Sequence, residues 1–175
     1  MPAKEKIVIS RRGCKEAALL LKYLDSTFQT NVEELLCCDA IACVYSRNTV
    51  LVYCVKKDVM RLLENRQMIP TETLHLGVLL GTVKDRSITP SLHLALLLAG
   101  KTASIRSGIV YIDFSSEKRF LHGKPVSRGF EVKSRSETNL YLVVGVDGEP
   151  LGWARIERGK LVPVIDIGWF LRAGG

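Results

Sequence analysis

This chain of 175 residues is short of several things, and each absence closes off a class of function. It lacks a long apolar run. The longest near the middle, Leu92 to Ala99, contains His93 and falls far below the roughly 20 residues that span a bilayer. Ile7-Val8-Ile9 is too short for a secretory signal and is followed at once by Arg11-Arg12. A soluble intracellular protein with no membrane partner is expected. Histidine is scarce: His75, His93 and His122 stand far apart, and no Cys-x-x-Cys pair exists. Zinc needs such clustered ligands, so no metal site is expected. Residues 1–100 hold no glycine-rich nucleotide loop, because Gly77 and Gly81 are wrongly spaced and run on into strand. No second acid, histidine or nucleophile stands at a recognisable spacing from Asp85-Arg86, which reads as a turn. Neither catalytic residues nor a cofactor are expected, and there is no internal repeat or low-complexity segment.

The five cysteines, Cys14, Cys37, Cys38, Cys43 and Cys54, all fall in the first third. They read as small core hydrophobes, with a disulfide as the lesser alternative. The net charge of +7 is shared between the halves, about +4 before Ala103 and +3 after it. A mild basic excess favours nucleic acid over acidic small molecules, and a basic surface with no anionic partner is the competing reading.

The chain reads as a fold of α+β class. A small N-terminal α/β domain with a mainly antiparallel sheet covers 1–103, and a β-barrel domain covers 104–175. Helices are expected over Gly13 to Phe28 and Lys57 to Asn65, with Glu33 to Leu36 ambiguous. Ile41 to Tyr45 and Val50 to Val55 form a hairpin through Ser46-Arg47-Asn48. A loop surrounds Pro70, and an apolar strand runs from Leu74 to Val83. Thr89-Pro90 signals a helix start, with the helix stopping at Gly100. A short polar linker, Lys101 to Arg106, leads to strands near Ile109–Phe114, Phe130–Lys133, Leu140–Val146, Leu151–Ile156 and Leu161–Ile165. Asp147-Gly148 and Arg158-Gly159 are hairpin turns. Short strands at that spacing make a small barrel.

The organising stretch is 118–132. Ser115 and Ser116 cap a short helix, Gly123 lets the chain leave it in a left-handed conformation, and Pro125 stops it resuming. Gly129 turns the chain again into a strand. Lys118, Arg119, Lys124 and Arg128 gather around the two glycines. Backbone amides and cations on one small corner suit a phosphate chain, and a charged loop kept soluble is the plainer alternative. Trp153, Trp169 and Phe170 could stack on bases, but aromatic residues flanked by Ile and Leu pack inward more often. His122 reads as a capping or surface histidine.

The stretch resembles the opening helix and glycine loop of a PUA domain, a small RNA-binding β-barrel. Leu140-Tyr-Leu-Val-Val-Gly-Val-Asp-Gly-Glu-Pro-Leu-Gly-Trp-Ala-Arg resembles that family's central hairpin, and Val164-Ile-Asp-Ile-Gly-Trp-Phe-Leu-Arg its closing segment. Before the barrel, Val50-Leu-Val-Tyr-Cys-Val-Lys-Lys-Asp-Val-Met-Arg-Leu, then Leu76-Gly-Val-Leu-Leu-Gly-Thr-Val, then Leu92-His-Leu-Ala-Leu-Leu-Leu-Ala, resembles the N-terminal domain of the Nip-seven type of large-subunit biogenesis factor, in an archaeal-like form. The likeness runs from about Val50 to Arg172.

That resemblance implies a monomeric, non-catalytic factor. Its barrel would bind RNA, namely pre-rRNA and uridine-rich single strands. Its N-terminal domain would meet pre-ribosomal assembly proteins. It would work in the cytoplasm in an archaeal cell and in the nucleolus in a eukaryotic one. The positions that match the family's RNA-binding residues are Arg155, Arg158 and Lys160. A sheet face whose charges pair with Glu149 or Glu157 is the alternative for these. Two other functions stay open: an RNA-modification enzyme or accessory subunit that docks through the barrel, and a protein-interaction adaptor.

Overall fold

A computed structural model describes residues 6–10, 14–46, 48–64, 77–169 and 172. The expected helix ends at Gly13 and Asn65, the turn residue Arg47, the loop at Pro70, the strand start at Leu74 and Phe170 lie outside these. The chain divides into two compact units, Met1–Tyr23 with Glu33–Leu94, and Leu24–Val32 with Ala95–Gly175. Each contains a five-stranded sheet. Among the described residues, no helix is long and apolar enough to cross a membrane.

The first unit is an antiparallel meander of β1 (Lys6–Ser10), β2 (Ala40–Ser46), β3 (Thr49–Val55), β4 (Val78–Lys84) and β5 (Ser87–Pro90), in that order. Helix α1 (Lys15–Phe28) begins in this unit, followed by α2 (Val32–Leu36) and α3 (Lys57–Glu64). Strand alternation sorts the sheet's side chains. Ala42, Val44, Tyr53 and Val55 are buried on one face, with Val59 and Met60 of α3 against them. Ile41, Cys43, Val52 and Cys54 alternate onto the other face. The cysteines correct the sequence expectation. Cys14 is bonded to Cys43 and Cys38 to Cys54, so four of the five are cross-links rather than packing groups. Cys37, exposed beside Cys38, donates its thiol to the Glu34 and Leu35 carbonyls.

Asp85 and Arg86 both adopt positive φ, 46° and 70°, and form the two-residue turn between β4 and β5. Thr89 and Pro90 do not start a helix. Pro90 ends β5 opposite Gly81, and α4 (Leu92–Ala99) starts two residues later. Ser91 decides this: its hydroxyl accepts from the Leu94 N–H at 3.0 Å, a cap that proline cannot supply. Gly77 and Gly81 allow close backbone approach, since a side chain at either would collide with the Cys54 or Thr89 carbonyl.

The second unit is a pseudo-barrel of β6 (Ile109–Ile112), β7 (Phe130–Val132), β8 (Tyr141–Val144), β9 (Pro150–Glu157) and β10 (Lys160–Asp166), with α5 (Phe114–Leu121) between β6 and β7. The sheet order is β10-β9-β8-β6-β7, and β6 and β8 run parallel. The sheet does not close through a ladder. Instead one antiparallel bridge, Val126 with Leu161, ties the segment before β7 to β10 by hydrogen bonds of 2.9 and 2.8 Å. Val110, Ile112, Phe120, Val126, Tyr141, Val143 and Leu161 fill the interior.

Residues 24–32 belong to this unit, and Phe28 packs on Trp153 with ring centroids 6.0 Å apart. Both are fully buried, so Trp153 is core as the sequence suggested. Trp169 is not: it is 53% exposed. It follows β10 in the turn at Ile167–Gly168, beyond the last paired residue, where the sheet no longer covers it.

Candidate nucleic-acid interface

The glycine corner is built as the sequence implies at its glycines, though differently at its cap. The helix N-cap is Asp113, not a serine: its carboxylate accepts from the Ser116 N–H at 2.8 Å and from the Ser115 hydroxyl at 2.8 Å. Hydrogen bonds from Ser115, and then from Ser116, hold the Asp113 carboxyl below the usual aspartate range. At the other end Gly123 has φ +69°. The Gly123 and Lys124 N–H groups bond back to the Phe120 and Arg119 carbonyls at 2.8 and 3.0 Å. This paired closure needs a left-handed residue at Gly123. Gly129, at φ +76°, lies against the cap, and a side chain there would strike Asp113 and Ser116. The Ser116 hydroxyl also donates to the Arg128 carbonyl at 3.0 Å.

The sequence implies backbone amides and basic side chains together on this corner, and six of those amides are turned to other partners. The amides of Ser116, Glu117, His122, Gly123, Lys124 and Val126 are all engaged within the protein. The positive end of α5 already has a carboxylate on it. The side chains of Lys124 and Arg128 stand exposed beside these engaged amides.

The bridge at Val126 decides where those cations lie. Val126 and Leu161 are buried, so their chain neighbours Pro125, Ser127, Lys160 and Val162 turn outward. The β9–β10 register extends the same outward face, since Arg155 pairs with Val162 and Glu157 with Lys160. Arg155 and Lys160 therefore share one side. Arg158 sits in the turn itself, with φ 50° beside Gly159 at 74°, a two-residue hairpin with both residues left-handed. Lys124 and Arg128 are exposed on the loop that carries Val126. Arg119 reaches the same loop, donating to the Pro125 carbonyl at 3.3 Å. The Val126–Leu161 bridge thus ties together two basic segments that stand far apart in the sequence.

Lys118 stands apart from these groups. It lies on another side of α5, where it lines an apolar cavity of about 480 Å³ with Phe114, Leu121, His122 and Arg172. Phe114 is 79% exposed. Arg172 is held there by Asp166, at 2.8 Å, and by the Leu121 carbonyl. The Asp166 partnership raises the Arg172 pKa above its ordinary value. His122 caps the helix and is exposed, in line with the sequence reading. Lys133 donates to the Thr102 and Ile105 carbonyls, at 3.3 and 3.4 Å.

No known family's sequence profile matches the chain. Over 103 residues it is 38% identical to a UPF0113 protein of Aeropyrum pernix, a stretch covering 57% of this chain. The match spans little more than half of that relative, 58% of its length. Among solved structures, a conserved PUA domain protein from Thermoplasma acidophilum superimposes with a TM-score of 0.55 at 13% identity, over 93% of this chain and 92% of that one. The fold is that of a PUA-domain protein. A hypothetical protein from the hyperthermophilic archaeon Pyrococcus horikoshii matches with a TM-score of 0.59 at 15% identity, over 95% of this chain and 98% of its own.

Proposed function

We propose that the protein is a non-catalytic RNA-binding factor of large-subunit assembly. It binds single-stranded pre-rRNA along the strip formed by Arg155, Arg158 and Lys160 with Arg119, Lys124 and Arg128. Lys118, on another side of α5, is a separate contact. The first unit serves for contacts with assembly proteins, and the protein acts as a cytoplasmic monomer. The observation that supports the reading is the Val126–Leu161 bridge, which ties the segment carrying Lys124 and Arg128 to the strand carrying Lys160. Phosphate contacts supply position and affinity without needing a preformed pocket, and a strip of side-chain cations meets that requirement. The sequence resemblance to the Nip-seven type and the fold shared with a PUA-domain protein support the assembly role.

The test is a titration against short mixed-sequence RNA at several salt concentrations. Each phosphate contact contributes a log–log slope of about 0.7 on single strands. Arg155→Ala/Lys160→Ala and Lys124→Ala/Arg128→Ala should each lower the slope by about 1.4, and their combination by about 2.8. Loss confined to one pair would break the single-strip reading. No binding at low salt would end the RNA reading.

A further inference from the structure

The open end of the pseudo-barrel holds a cavity of about 480 Å³ lined by Val132, Arg135, Ser136, Asn139, Tyr141 and Ile156. It lies where β7 has ended, β8 has just begun and β9 runs on past β8. Its inner wall is apolar, since Val132 and Ile156 pack against the core and Tyr141 belongs to it. Polar groups sit at its rim, and most are committed. The Asn139 amide donates to the Ile156 carbonyl and accepts from the Ile156 N–H, at 3.1 and 3.3 Å. The Ser136 hydroxyl bonds that of Thr138 at 3.1 Å.

Two groups are not so committed. Tyr141 is only 2% exposed, and its hydroxyl accepts from the Ser136 N–H at a long 3.4 Å, which leaves its own proton to donate. Arg135 is exposed and forms no ion pair among the described residues. An apolar slot with one inner donor and a cation at the rim fits a flat aromatic ring that carries a carbonyl oxygen beside a phosphate. A nucleobase in a strand has that chemistry. Barrel mouths are also a common place for such sites. Ile156, on the cavity wall, lies two residues from the Arg158 turn, while its β9 neighbour Arg155 alternates onto the opposite, outward face.

We infer that the barrel mouth takes one unstacked nucleobase of the RNA strand lying on the hairpin, with Tyr141 donating to a base carbonyl and Arg135 holding the adjacent phosphate. This rests on the RNA-binding reading and adds base recognition to it. The experiment uses the full-length protein and two labelled RNAs of equal length, one of ordinary sequence and one made entirely of abasic ribose phosphates. Wild type should bind the base-containing strand about tenfold more tightly or better, as a stacked base contributes. Tyr141→Phe, which keeps the ring, should remove roughly fivefold of that preference, the worth of one hydrogen bond, with the salt slope unchanged. Arg135→Ala, on the surface, should weaken both strands and lower the slope by about 0.7.

Equal binding of the two strands by wild type would overturn the pocket while leaving the basic strip standing. A full preference in Tyr141→Phe would overturn it as well. Failure of wild type to bind either strand at low salt would remove the RNA reading and the pocket together. A nucleoside monophosphate that binds as tightly as the strand would assign the mouth to a free nucleotide and overturn the strand as its ligand.

Discussion

Reducing the two disulfides should loosen the first unit and leave the second alone. The bonds close stretches with sequence separations of 29 and 16, from Cys14 to Cys43 and from Cys38 to Cys54. In the chain-entropy treatment such loops stabilise by about 3.6 and about 3.1 kcal/mol. The two stretches share Cys38 to Cys43, so their effects do not simply add. Loss of either bond should still cost about 3 kcal/mol. That corresponds to faster amide exchange on the order of a hundredfold in peptides covering β2 and β3, if exchange there proceeds by opening of the unit. Hydrogen-exchange mass spectrometry with and without reductant reads this directly. Tryptophan fluorescence would miss it, because Trp153 and Trp169 both lie in the second unit. The second unit contains no cysteine, so β8–β9 peptides serve as the internal control. Superimposable exchange of β2–β3 peptides in the two conditions would refute the reasoning. It would return the cysteines to the role of packing groups.

Two further outcomes follow from the second unit. The Asp113 cap has a carboxyl held below its ordinary value, so its contribution is present above the unfolded value near 3.9 and is lost as pH falls through the lower folded value. The Ser116 amide resonance should therefore titrate with a midpoint under 3.9, and Asp113→Asn should abolish that titration; a midpoint at or above the ordinary value would contradict the cap. Gly152→Ala should destabilise the unit by roughly 3 kcal/mol, since φ there is +141° and the new methyl would meet the Ile165 carbonyl. Thermal unfolding followed by tryptophan fluorescence checks this, and an unchanged midpoint would mean that β9 and β10 lie further apart at that point.

The second half of the fold was legible because its signals are local. Strand alternation and the pairs Asp147-Gly148 and Arg158-Gly159 placed β6 to β10 close to their observed bounds, and Gly123 and Gly129 marked the two corners. What escaped depends on partners distant in sequence. Ile7-Val8-Ile9 is β-branched but too short to mark a strand without its partner, and it pairs along its length with β2 within β1. Thr89-Pro90 looked like a helix start because the strand that Pro90 ends gets its definition from Gly81. The disulfides join a helix start to a strand and a loop to a strand, so no Cys spacing could reveal them. The sequence presents the two basic segments as separate candidates for the same reason: the bridge that joins Val126 to Leu161 is announced by nothing near either residue.

Asn139 has a consequence outside recognition. Beyond Ala154 the strand β9 has outrun β8 and would show bare backbone to its neighbours. Such a row is what another chain's strand would dock onto, and stacked copies would follow. The Asn139 amide presents one donor and one acceptor to Ile156, as a peptide unit of a real strand would. A single side chain thus stands in for a missing strand, and its position, with φ 55°, is one that asparagine tolerates better than most residues. Keeping this protein from sticking to itself is then a task given partly to one amide group.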